Sequence, residues 1–184
     1  MRHVLSIMVA VVCFYSTVPV SAATILPSSI VWTNNGTVTD LNRIDPTKAY
    51  DGNQNTFWSL GLGGTAEIHF AGLIGEATTF EVTNGNRAAY LETMMVEAWD
   101  GSAWSFVTNV TNAVASNTFT LSPFTTRLRF TDTSPVIAGR DGLDIGELYG
   151  ITAPAPVPLP ASALLLLSGL GGLGAWRRIQ RQKA

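Results

Sequence analysis

KAYDGNQNTFWSL, residues 48–60, contains a turn that leads into a strand. Asp51, Gly52 and Asn53 sit together, and Gly52 lets the backbone reverse sharply. Asp51 brings a carboxylate, and Thr56 a hydroxyl and a carbonyl oxygen. These are the hard oxygen donors that calcium takes, six to eight at a time. The same residues also suit a plain Asx turn shaped by Asp51 and Asn53. TAEIHF, 65–70, follows and alternates polar with apolar residues, the period of a half-buried strand.

The pattern continues outward. TTFEVTN (78–84), TMMVEAW (93–99), WSFVTNV (104–110), NTFTLS (117–122) and RLRFTDT (127–133) are short and rich in Val, Phe, Thr and Trp. Asn84-Gly85 and Asp100-Gly101 are turn signals, and AWDGSAW reads as a hairpin. Pro123 and Pro135 are placed at strand ends. Nothing between 24 and 152 has the period of a long amphipathic helix. The fold class is all-β, a jelly-roll β-sandwich. Trp58, Trp99 and Trp104 are assigned to the core, with Trp32 more open beside a polar loop. His69 is read as a strand-face side chain.

Ala-x-Asp-Gly-Asn-x-x-Thr-x-Trp followed by a strand resembles the discoidin, or coagulation-factor C-type, branch of the galactose-binding-like superfamily. VEAWDGSAWSFV (96–107) and TTRLRFTDT…DGLDIGELYGI (125–151) resemble its later strands, so the likeness runs from about Ile30 to Ile151. The cysteines that close many animal members are absent. The resemblance implies a structural calcium ion. Its ligands would be the carbonyls of Lys48 and Asn53, the side chains of Asp51 and Thr56, and Glu147 with the Gly146 carbonyl beside it. It also implies ligand-binding groups in the loop NGNRAAYLE, at Arg87 and Tyr90. Arg donates several fixed hydrogen bonds and Tyr offers a flat apolar face.

Both ends read as addresses. Residues 1–23 have a basic start at Arg2 and His3, a short apolar run, and small residues at 21–23. That is a secretory signal peptide. The β-domain then occupies 24–152, and an Ala/Pro linker covers 153–157. Residues 157–176 would span about 30 Å as a helix, the thickness of a bilayer's hydrocarbon core. Basic residues beyond it belong on the cytoplasmic side. Val157, Pro158, Leu159, Pro160 and Ala161, then the apolar span, then Arg177 and Arg178, resemble the VPLPA variant of the PEP-CTERM sorting signal. The resemblance implies a transmembrane intermediate in the inner membrane of a Gram-negative bacterium. It also implies processing by an exosortase, and life at the cell surface or in the exopolysaccharide of a biofilm. A simple C-terminal anchor is the alternative.

Composition narrows the function. The only cysteine, Cys13, lies in the signal segment, so the mature domain has no thiol. Without the ends, six basic residues face thirteen acidic ones, a net charge of −7. So acidic a domain suits cations and neutral ligands, not nucleic acid. With one histidine and no marked carboxylate pair, it reads as a non-enzyme. The leading reading is an exported, calcium-stabilised module that binds exopolysaccharide or a surface glycan. A structural biofilm protein without a specific ligand and a glycoside hydrolase are the alternatives.

Overall fold

Among the described residues, eight antiparallel strands and one short 3-10 helix make up the domain. The computed structural model describes residues 22–35, 38–81 and 90–152. Most of the signal segment, Asn84-Gly85, Arg87, the linker, the Val157–Ala161 motif, the apolar span, Arg177 and Arg178 lie outside the described residues. Among the described residues, no helix is long and apolar enough to cross a membrane. Residues 22–154 form a compact unit of their own.

The strands are β1 (Thr24–Ile25), β2 (Pro27–Thr33), β3 (Trp58–Ser59), β4 (Thr65–Glu81), β5 (Thr93–Trp99), β6 (Trp104–Thr111), β7 (Ser116–Asp132) and β8 (Asp144–Thr152). The 3-10 helix covers Pro46–Tyr50. Asp45 caps it by accepting the Thr47 N–H, and Pro46 fits the first turn, where no N–H is needed.

β4 and β7 organise everything else. Each is 17 residues long and serves two half-sheets. The first half of β4 pairs with β2 and with residues 127–131 of β7; β5 lies beyond β7, and β6 beyond β5. The second half of β4 pairs with residues 116–125 of β7 and with β8, whose far edge carries β1 and β3. Register breaks around Ile74 mark the passage between halves. The buried parity flips there, from Ala66, Ile68 and Phe70 to Ala77, Thr79 and Glu81. An extra residue in a strand turns every later side chain to the other face, so both halves can face one core.

That core joins Trp58, Leu60, Ile68, Ile74, Met94, Val96, Leu128, Phe130, Ile145 and Leu148 in one cluster. Each such side chain contributes about 1.5–3 kcal/mol on burial. Trp58 is fully buried, and Trp32 meets it edge-on at 5.4 Å while its Nε1–H donates to the Leu60 carbonyl at 2.8 Å.

Several sequence expectations change. β4 begins with the segment 65–70 and runs on into 78–81, while 117–122 and 127–132 are one strand, β7. Pro123 therefore lies inside β7, exposed at its crossing point, not at a strand end. Trp99 and Trp104 are not core residues. Their rings meet at a tilt of 59°, centroids 5.3 Å apart, on the outer face and half-exposed. The hairpin between them forms as read, with the Asp100 carboxylate accepting the N–H groups of Ser102 and Ala103.

Candidate functional site

Four chain segments meet where β4, β5 and β8 begin and β7 ends. Asp132, the last residue of β7, ties three of them together. Its Oδ1 accepts the N–H groups of Gly63 and Ser134, each at 3.2 Å. Its Oδ2 accepts the Ser134 hydroxyl at 2.8 Å and the Leu143 N–H at 3.0 Å. Gly142 makes room for it: with φ +87°, an added Cβ there would sit 2.8 Å from Asp132 Oδ2.

Beside Asp132 lies a second knot. Asn112 donates to Glu92 Oε2 at 3.2 Å and to the Tyr90 carbonyl at 3.1 Å, and its Oδ1 accepts the Glu92 N–H. The Tyr90 hydroxyl donates to the Pro135 carbonyl at 2.7 Å. Its ring is buried, and the Arg140 guanidinium lies 4.9 Å from its centroid. The flat face expected of Tyr90 is thus covered, and the group presented outward there is Arg140. Arg87 lies outside the described residues, in the segment between Glu81 and Tyr90.

Carboxylates crowd this end. Burial, and then the charges of Glu81 and Asp141, push Glu92 up to about 7. Burial, and then Asp141, push Asp144 up to about 8, although Arg43 and a hydrogen bond with Ser59 oppose the rise. Among the described residues, Asp144 Oδ1 has no hydrogen-bond partner. Arg43 is the main counter-charge, donating to Asp141 at 2.6 Å with its guanidinium 4.9 Å from the Phe57 ring centroid. The end is thus an acidic frame with Arg140 and Arg43 as its hydrogen-bond donors.

The candidate calcium residues fall on a neighbouring loop. Asp51 Oδ1 accepts the Asn53 N–H at 2.8 Å, and Oδ2 accepts the Thr56 hydroxyl at 2.7 Å. The Asn53 carbonyl accepts both the N–H and the hydroxyl of Thr56. Gly52 takes φ +78°, the left-handed turn its position calls for. Lys48 donates its ammonium to the Asn42 carbonyl. Trp58 pairs with Ile145, and Ser59 with Asp144. The 3-10 helix that precedes the loop also packs against β8. The chain on both sides of the loop, at residues 46–50 and 58–59, therefore lies against β8, far off in sequence. Among the described residues, no three His, Cys, Asp or Glu side chains group closely enough to hold a metal. A calcium shell here would draw on two carboxylates, with carbonyls and a hydroxyl supplying the rest. That donor set is chemically suited to calcium, and the loop as built is also a complete Asx turn.

The network around Asp132, Glu92, Asn112 and Asp144 was not legible in the sequence. Asp132 and Asp144 are twelve residues apart with no motif between them, and only chain reversal sets them near each other.

No family model and no curated protein matches the sequence. Solved structures do match. A family 32 carbohydrate-binding module from C. perfringens, in complex with galactose, has a TM-score of 0.52 and 17% identity, over 71% of this chain and 99% of that one. Another family 32 module from Clostridium perfringens, in complex with glcNAc-alpha-1,4-galactose, has a TM-score of 0.54 and 15% identity, covering 72% and 96%. A pectin binding carbohydrate binding module has a TM-score of 0.52 and 11% identity, covering 73% and 96%. The fold is accordingly that of these modules. At such identities the likeness is one of fold.

Proposed function

We propose that the protein is a non-catalytic, exported module that binds carbohydrate at the loop end. The observation that supports this most is that near-complete carbohydrate-binding modules superpose on its single β-domain. In this reading Arg140 presents its guanidinium to sugar hydroxyls over the acidic frame, and Arg87 is the second expected donor. Calcium would be held by Asp51, Thr56, Glu147 and the carbonyls of Lys48, Asn53 and Gly146, tying the 48–56 loop to β8. A ligand bound only by the folded state stabilises it by mass action. The signal peptide and the Val157–Ala161 motif would deliver the protein through the inner membrane to an exosortase and on to the cell surface. Intact-mass analysis of the surface form, ending before Arg177, checks that route; recovery of tails through Ala184 contradicts it.

The binding experiment is retention of the protein on the exopolysaccharide of its own cells. Arg87→Ala and Arg140→Ala are expected to weaken retention roughly tenfold, a loss of about 1.4 kcal/mol, with the melting temperature unchanged. Unaltered retention in both variants rejects the loop end as the site. A chelator is expected to lower the melting temperature of the wild type and not that of Asp51→Ala. A melting curve indifferent to chelator and to added calcium removes the ion and leaves the turn.

A further inference from the structure

The outer face of β2, β4, β7, β5 and β6 is ordered in rows that the function above does not use. Cross-strand pairing aligns Thr33, Thr65, Thr131 and Met95 in one row. The next row is Val31, Glu67, Arg129, Glu97 and Phe106. Its charges are matched within the face. Arg127 pairs with Glu67 at 2.7 Å, and Arg129 with Glu97 at 2.6 Å. Arg127 lies 5.0 and 5.2 Å from the ring centroids of Trp99 and Trp104, and Arg129 lies 4.7 Å from that of Trp104. Guanidiniums clamped by both a carboxylate and an aromatic ring are held in fixed orientations.

A pocket of about 320 Å³ opens between the first two rows, lined by Val31, Thr33, Thr65, Glu67, Arg129 and Thr131. The hydroxyls of Thr33, Thr65 and Thr131 make no hydrogen bond within the described residues. Each can donate once and accept twice. Glu67 engages Arg127 through Oε2, and Arg129 engages Glu97 through Nε and Nη2, so acceptor and donor capacity remains on both. Val31 is 65% exposed and supplies an apolar wall. At the far end of the second row Phe106 is 61% exposed. From Glu67 to Phe106 is three strand spacings, about 14 Å.

We propose that this face is a second glycan site, which takes a neutral oligosaccharide lying across β4, β7, β5 and β6 with one sugar ring in the pocket. Hydroxyls that both donate and accept match the threonine row and the spare capacity of Glu67 and Arg129. The two carboxylates and two guanidiniums cancel, so an anionic sugar would have to displace an existing ion pair. The occupant is therefore uncharged, and its binding is insensitive to salt. The site is argued from the face itself and stands whether or not the loop end binds sugar.

The test uses the full chain in mild detergent on columns of immobilised neutral galactan, glucan and mannan, with polygalacturonate as the anionic arm. Val31→Trp fills the pocket from an exposed position, and the double variant Thr65→Val, Thr131→Val removes two hydroxyls without changing side-chain shape. Each is expected to reduce retention on a neutral column at least about fivefold, while added salt leaves wild-type retention unchanged and Arg140→Ala leaves the pocket's share intact. No retention on any neutral column overturns the proposal. So does retention confined to polygalacturonate, or retention that survives both pocket variants. Loss of all retention in Arg140→Ala alone also overturns it, and would assign binding to the loop end.

Discussion

Asp132→Ala is expected to lower the unfolding free energy by about 4–6 kcal/mol, enough to leave the domain largely unfolded at moderate urea. The carboxylate is buried and accepts from Gly63, Ser134 and Leu143, groups on three different segments. Alanine strands those donors, and each buried donor without a partner costs about 1–3 kcal/mol. Some of that is recovered where water enters the space left behind. Asp132→Asn keeps the shape but still fails in part. Backbone N–H groups approach both oxygens, so the amide's NH₂ must meet at least one of them in either orientation. Its expected cost is smaller, about 2 kcal/mol. Urea unfolding of the two variants decides the matter. A loss under about 1 kcal/mol for Asp132→Ala would show that the four bonds do not hold the loop end together.

Asp144→Asn is expected to stabilise the domain, and to do so only above mildly acidic pH. Asp144 is raised from 3.8 to about 8, by burial first and then by Asp141 and Glu92, against Arg43 and Ser59. Because the folded-state value lies above the unfolded one, its contribution to stability is full below about pH 4 and is lost as pH rises toward 8. Over that window the unfolded chain has released the proton that the folded chain retains, and stability falls with pH. Asn resembles the protonated carboxyl in shape, with one acceptor and a donor, and carries no proton to lose. The variant's gain should be near zero at pH 4 and grow to several kcal/mol by pH 8, since a tenfold difference in proton affinity between the folded and unfolded chains corresponds to about 1.4 kcal/mol. Glu92, raised to about 7, keeps a smaller slope of the same sign in the variant. Melting temperatures of both proteins across that range provide the check. Parallel curves would mean that Asp144 is ionised in the folded state at neutral pH.

The two predictions share a cause. The loop end gathers Glu81, Glu92, Asp132, Asp141 and Asp144, and what distinguishes them is how each is paired. Asp132 has a full set of donors, whereas Asp144 has an oxygen with none.

By itself the sequence determined the strand character, the hairpin at Asp100-Gly101, the turn at Asp51-Gly52 and the burial of Trp58. These follow from short-range rules: β-branched and aromatic runs with period two, glycine where φ must be positive, and an apolar ring next to a strand. Local alternation says that two faces exist but not which of them is inward. Trp99 and Trp104 alternate as core residues would, yet Met94, Val96 and Ala98 take the inner face and leave the two rings outside. Nor does alternation show where two apparent strands are one. The phase flip at Ile74 looks, in the chain alone, like a break between 65–70 and 78–84. Only the partner strands, β7 on one side and β2 then β8 on the other, make it a single bent strand. The tertiary structure likewise decided the threonine and charge rows and the four bonds to Asp132. Each requires residues tens of positions apart to share a register or a buried point, and that is set by packing both half-sheets over one core.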